Sequence, residues 1–162
     1  MTDEDYMRDA IGEAQAASAR GDVPVGAVLV NPKTGRIVAR GGNAPILLSD
    51  PTAHAEIMAI RDAAYKSENY RLTGLTLYVT LEPCTMCAGA ISNARIGRVV
   101  YGATDIKGGA IESGVRFFEQ SVCHHRPDVT GGVLADECAG LLKAFFKARR
   151  KTKSPLSKNA AS

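Results

Sequence analysis

Met7, Ala10, Ile11, Ala14 and Ala17 recur at helical spacing with polar residues between them, so Asp3 to Ala19 reads as an amphipathic helix stopped by Gly21. Val25 to Val30 and Arg36 to Gly41 are β-rich runs joined by Asn31-Pro32-Lys33-Thr34-Gly35, whose Pro and Gly are turn residues, and together they predict a hairpin. Asn43 to Pro51 reads as a loop. Helical periodicity resumes at Thr52, with Ala55, Met58 and Ala59 on one side, and runs to about Tyr65. Leu75 to Leu81 alternates as a strand does, and Pro83 suits the first turn of a helix spanning Cys84 to Asn93. Ile96 to Gly102 is a further strand, and Asp105 to Pro127 mixes loop with short helix. The last element, Asp136 to Lys151, sets Leu141, Leu142, Phe145 and Phe146 on one face and basic residues elsewhere. Strands alternating with helices predict an α/β sandwich whose mixed sheet opens with a hairpin and continues through crossovers. With no repeat or linker in view, one domain over residues 1–151 is expected, followed by a flexible basic tail, 152–162.

Composition narrows the class. Over 162 residues the hydrophobic share is 45 %, the charged share 23 % and the mean hydropathy −0.08, values of a soluble globular chain that exclude collagen-like, coiled-coil and disordered readings. The longest apolar stretch, Val23 to Val30, covers eight positions and is broken by Pro24 and Gly26, far short of the roughly 20 needed to span a bilayer. The start, Met1-Thr2-Asp3-Glu4-Asp5, is acidic where a targeting segment is basic, so a cytoplasmic location is expected. Four cysteines are too few to staple a secreted domain of this size, which points to reduced thiols or metal ligands. The net charge of +3 conceals a split. Residues 1–137 hold 13 bases against 17 acids, net −4, whereas residues 138–162 hold seven bases and no acid, net +7. A basic terminus on an acidic body points to a polyanionic partner, although such tails are also ordinary solvated surface.

The chemistry-bearing pattern is His54-Ala55-Glu56, then 26 residues, then Pro83-Cys84-Thr85-Met86-Cys87. One imidazole and two thiolates are three donors of the kind zinc favours, and three-ligand zinc keeps a fourth position for water, as catalytic sites do. Cys84 and Cys87 stand three apart at a helix start, where both can address one ion and the helix dipole favours thiolate. Glu56, two residues past His54, is a poor fourth ligand but within reach of the metal's water, whose pKa zinc lowers to about 7. A carboxylate there can take that proton and return it to a ring nitrogen and leaving group, which is hydrolytic deamination.

This His-x-Glu and Pro-Cys-x-x-Cys order matches the known signature of zinc nucleobase deaminases. Beyond it, the chain resembles the bacterial tRNA-specific adenosine deaminases. The likeness runs through Val23-Pro24-Val25-Gly26-Ala27-Val28, Asp50-Pro51-Thr52-Ala53-His54-Ala55-Glu56 and Tyr78-Val79-Thr80-Leu81-Glu82-Pro83-Cys84. It continues through Arg95 to Ala103, Leu134 to Cys138 and Phe145 to Arg150, covering roughly residues 5 to 150. The resemblance implies a cytidine-deaminase-like three-layer α/β/α sandwich, one zinc per subunit, a homodimer, and conversion of adenosine to inosine at the wobble position of a tRNA anticodon loop. It implies His54, Cys84 and Cys87 as metal ligands and Glu56 as the catalytic proton shuttle. It also implies substrate or RNA contacts by Asn43, Val28, Ala55, Asp105, Lys107, Phe146, Arg149 and Arg150. Ile46-Leu47-Leu48-Ser49 is an apolar departure where relatives are more basic.

Other readings stand beside this one. Cys84 and Cys87 alone are also the spacing of a redox pair, and Cys123, His124, His125 or Cys138 are available as a fourth ligand for a structural zinc. Taken singly, Cys123 and Cys138 read as core thiols, and His124 and His125 as loop or interface residues. The Asp-Pro-Thr-Ala-His-Ala-Glu run is shared with free-base or nucleoside deaminases acting on guanine or cytosine. A zinc-stabilised RNA-binding subunit without catalysis is the rival outside enzymes.

Overall fold

The computed structural model describes residues 1–152. Thr2 starts the first helix, α1 (Asp3–Ala19), through a capping box in which its hydroxyl accepts from the Asp5 N–H while the Asp5 carboxylate accepts from Thr2 N–H. A hairpin of β1 (Gly26–Asn31) and β2 (Arg36–Gly42) follows. The expected loop after it contains a one-turn helix, α2 (Pro45–Leu48), which Pro45 opens and the buried Asp22 caps by accepting the N–H groups of Ile46 and Leu47. Next come α3 (Ala55–Ser67), β3 (Thr76–Leu81), α4 (Thr85–Asn93) and β4 (Arg98–Ala103). The irregular stretch after β4 yields a short 3-10 turn (Phe117–Glu119) and a strand unread in the sequence, β5 (Asp128–Thr130). α5 (Ala135–Thr152) ends the described chain. The expected tail, 152–162, lies outside the described residues apart from Thr152.

The sheet order is β2-β1-β3-β4-β5, antiparallel across β2, β1 and β3 and parallel across β3, β4 and β5. β3, α4 and β4 thus form a parallel crossover unit, the arrangement that demands helices on both faces. That is what the burial shows. Ala27, Leu29, Leu77, Val79 and Val99 join α3 and α4 in one core, while Val28, Val30, Tyr78 and Val100 join α1 and Cys138 of α5 in the other. The period-2 pleat sorts neighbouring residues to opposite layers, and strands buried on both faces are apolar at nearly every position.

Two glycines let helix backbones reach the sheet. A Cβ on Gly41 would lie 2.6 Å from the Ala55 carbonyl oxygen and from the Ala59 nitrogen, and one on Gly26 would meet the backbone of Ala10 and Ala14. α3 and α1 therefore press on the hairpin from opposite sides, which fixes where α3 begins. At the far end of the sheet, Asp3 receives both guanidinium nitrogens of Arg98 at 2.9 and 2.8 Å and the Tyr78 hydroxyl at 2.8 Å, tying α1 to β3 and β4.

Candidate active site and metal centre

The parallel strands β3 and β4 end beside the start of β1 and the end of β2, and the chain segments leaving this edge converge. α3 and α4 both begin here, and His54 and Cys84 are their respective N-caps, each in extended conformation and neither capping its own helix. Both side chains are therefore available at the helix mouths. Cys87 follows in the first turn of α4, fully buried. The Cys84 and Cys87 sulfurs lie 3.6 and 3.5 Å from Nδ1 of His54. A tetrahedral zinc with its usual bonds to sulfur and imidazole nitrogen sets those donors about 3.6 Å apart, so the three side chains fit the ion. Among the described residues this is the one cluster of three with metal-ligand geometry, and it does not recruit Cys123, His124, His125 or Cys138. Cys123 and Cys138 are buried free thiols, and His125 contacts the Ile96 carbonyl oxygen through Nε2. The fourth-ligand reading has no support in the fold.

The electrostatics of the cluster also call for a cation. Hydrogen bonding to Cys87 and to the His54 imidazole, working against burial, draws the Cys84 thiol down to about 4, while its bond to Cys84 and its burial push Cys87 up. Neighbouring thiolates repel each other, and a cation held between them relieves that repulsion. His54 is raised by its hydrogen bond to Cys84. Burial pushes the Glu56 carboxyl up to about 7, near neutrality, where a group both takes and gives protons readily.

Glu56 sits on the first turn of α3, 4 % exposed, and lines a cleft of about 270 Å3 together with Asn43, His54, Leu81, Glu82, Cys84, Asp105, Gly108, Val23 and Val25. That volume is at the small end for ligand sites, suited to a single flat ring system. Asn43 reaches it from the end of β2. Its Oδ1 accepts the Ala55 N–H at 2.8 Å, which orients the amide and leaves the Nδ2 donor for the cleft.

The cleft brings together Glu56, His54, Cys84, Asn43 and Asp105, and Cys87 is buried beside them in the metal-donor cluster. Ala55 takes part through its backbone N–H, its methyl being buried in the core. Val28 is a correction: its side chain is fully buried on the other face of the sheet among α1 residues, because the pleat places it opposite to Ala27 and Leu29. Lys107 is exposed on the loop after β4, outside the cleft lining. Phe146 departs from the apolar face expected for α5. It is 42 % exposed and stacks edge-on against Phe145, while Leu141 and Leu142 turn toward the sheet. Arg149 lies over the Phe145 ring, 5.3 Å from its centroid, and Arg150 is exposed.

One residue of the site carries no assigned role in the sequence reading, although it stands in the Tyr78–Cys84 run. Glu82, 2 % exposed, accepts hydrogen bonds from Asp105, Ile111, Glu112 and Ser113 N–H groups and from the Ser113 hydroxyl. Burial alone would raise its carboxyl, but these donors hold it below the usual carboxylate range. The available signal is an acid directly after the Thr76–Leu81 strand, before Pro83.

Comparison with known proteins agrees with this geometry. Residues 1–103 match the family described as the cytidine and deoxycytidylate deaminase zinc-binding region. A tRNA-specific adenosine deaminase of Agrobacterium fabrum is 56 % identical over 90 % of this chain and 94 % of its own length. One of Haemophilus influenzae is 54 % identical over 93 % of this chain and 87 % of its own. A solved structure from a study of A-to-I editing by tRNA:A34 deaminases at the wobble position of transfer RNA superposes with a TM-score of 0.82. It is 57 % identical and covers 85 % of this chain and 98 % of its own.

Proposed function

The chain belongs to the cytidine and deoxycytidylate deaminase zinc-binding family and, within it, to the tRNA-specific adenosine deaminases, and from that membership we infer its reaction. It hydrolyses adenosine at the wobble position of a tRNA anticodon loop: water adds at C6, the amino group leaves as ammonia, and inosine remains in the RNA. The rival expectation of a free-base or nucleoside deaminase is not favoured, since relatives sharing more than half their residues with nearly the whole chain are tRNA-specific. The observation that carries the reading is a buried carboxylate, Glu56, in a ring-sized cleft beside three zinc donors.

Zinc is the cofactor, and His54, Cys84 and Cys87 are the residues that would hold it. Bound there, it supplies a Lewis acid that makes water nucleophilic near neutral pH. Glu56 takes one proton of the attacking water and gives it to the ring nitrogen beside C6, then takes the remaining proton of the hydroxyl added at C6 and gives it to the departing amine. Burial in the cleft favours the carboxyl's protonated form, which suits a group that must carry a proton between steps. Asn43 Nδ2 donates to an acceptor on the base edge and holds the ring in place. Leu81, Val23 and Val25 pack beside the base and exclude water. A loop nucleotide is already partly unstacked, so extruding it costs less than opening a duplex.

Asp105 and Lys107 meet the flanking nucleotides, and Phe146, Arg149 and Arg150 meet the anticodon stem. Support for this comes from the acid-free stretch that begins at Cys138 and from Pro24, which lines a groove with Phe145 and Arg149 while its neighbours Val23 and Val25 line the cleft. The enzyme works as a cytoplasmic homodimer. Four free thiols suit a reducing compartment, and Ile46, Leu47 and Leu48, each about half exposed on α2, leave apolar surface for a partner. No helix among the described residues is long and apolar enough to cross a membrane.

The deciding experiment incubates zinc-loaded protein with an anticodon stem-loop carrying wobble adenosine and, separately, with adenine, guanine and cytosine. Inosine in the RNA alone establishes the reading. Ammonia from a free base alone overturns it and leaves the basic terminus as solvated surface.

A further inference from the structure

The loop after β4 is built almost wholly around one side chain. Between Ala103 and the turn at Phe117 the chain has no helix or strand, and Gly108, Gly109 and Gly114 make it easy to deform. All five hydrogen bonds accepted by the Glu82 carboxylate come from this loop. Oε1 takes the Asp105 N–H at 3.0 Å and the Ser113 hydroxyl at 2.9 Å. Oε2 takes the N–H groups of Ile111, Glu112 and Ser113 at 3.1, 2.9 and 2.9 Å. Only an ionised carboxylate can accept from so many donors at once and give none back. The backbone on either side of Glu82 grips the same region, its own N–H donating to the Ala103 carbonyl and the Pro83 carbonyl accepting from Ala110 N–H, each at 2.8 Å.

We propose that Glu82 is a positioning residue that holds the 105–113 loop against the cleft and thereby sets how tightly the enzyme binds the RNA around the target adenosine. The inference rests on the functional reading above, in which Asp105 meets a flanking nucleotide. Asp105 is the link. Its N–H is fixed by Glu82, its Oδ1 accepts Gly108 N–H at 3.0 Å, and its side chain lines the cleft, so displacing the Glu82 bond moves an RNA contact without touching Glu56 or the metal donors. Gly109 reports the same tightness. A Cβ there would lie 2.5 Å from both the Asp105 carbonyl oxygen and the Glu82 carboxyl carbon.

Glu82→Gln separates this from a merely structural role. The glutamine oxygen can serve the three N–H groups at 111–113, but its NH2 then faces the Asp105 N–H, donor against donor. KM for the anticodon stem-loop is expected to rise about tenfold, from loss of a hydrogen bond to a charged group, with kcat changed less than twofold and zinc content unchanged. In an Asp105→Ala background the same substitution should raise KM by less than twofold further. Should Glu82→Gln fail to fold, Gly109→Ala carries the test, with the same rise in KM expected. An unchanged KM in a variant that folds, a loss of zinc with a matching fall in kcat, or full additivity with Asp105→Ala overturns the inference. A wild-type protein that forms no inosine overturns the functional reading and the inference together, whereas a wild type that edits beside a variant with unaltered KM overturns the inference alone.

Discussion

Asn43 Oδ1 accepts the N–H of Ala55 at 2.8 Å, so the first orphan donor of α3 is satisfied from the end of β2 and not from its own N-cap. His54 occupies that N-cap, and because another residue does the capping its imidazole is left for the metal cluster. One amide thus starts a helix with its oxygen and offers the cleft its nitrogen.

Asn43→Ala should lose both roles, lowering stability by about 1 kcal/mol, the usual worth of a cap, and sharply reducing inosine formation. Asn43→Asp keeps an acceptor for Ala55 but has no Nδ2 donor. Thermal melts of the aspartate variant should therefore stay close to wild type while its activity falls with that of the alanine variant.

Glu56→Ala should bind zinc at the wild-type ratio and lose at least a factor of 10² to 10⁴ in turnover, the range for a positioned acid–base group. Metal content and inosine yield on the same sample check this, and loss of zinc would make Glu56 structural.

Chelation should abolish inosine formation and lower the melting temperature, with zinc restoring both. A ligand present at about a hundred times its Kd contributes about 2.7 kcal/mol to the folded state. Cys87→Ala, which removes a buried donor, should mimic the chelated protein and resist rescue by added zinc.

Asp3 is held below its ordinary value of 3.8 chiefly by its hydrogen bond from Arg98, with help from Tyr78. A depressed carboxyl stabilises the fold fully above its unfolded pKa and loses that contribution as pH falls through the folded value. The gap in melting temperature between wild type and Asp3→Asn should be constant from neutral pH down to about pH 5 and close below 3.8.

Replacing Arg149 and Arg150 together by alanine should weaken stem-loop binding most at low salt. The slope of log affinity against log salt should fall by about one for each phosphate contact removed. Binding titrations at three salt concentrations read it directly.

Local pattern carried much of this protein. The Asp3–Ala19 helix is visible in the sequence to the residue because its apolar stripe and the stop at Gly21 are both local, and the hairpin, α4 and α5 follow from local pattern within a residue or two. His54, Glu56, Cys84 and Cys87 were legible because metal chemistry restricts the donor types and a helix start restricts their spacing. Other features depend on what lies across the fold. α2 looks like loop because its one turn is capped by Asp22, more than twenty residues earlier, and β5 is three residues long, too short to show alternation. Alternation puts Val28 opposite to Ala27 but says nothing of which face bears the cleft, a matter decided when α3 and α4 cover one side and α1 the other. Glu82 is mute in sequence for the same reason: its five donors lie 23 to 31 positions downstream and are gathered only once β3 and β4 pair. Spacing along the chain determined the chemistry, and the packing of helices onto a two-sided sheet decided which residues meet it, since burial and long-range hydrogen bonding exist only in the folded state.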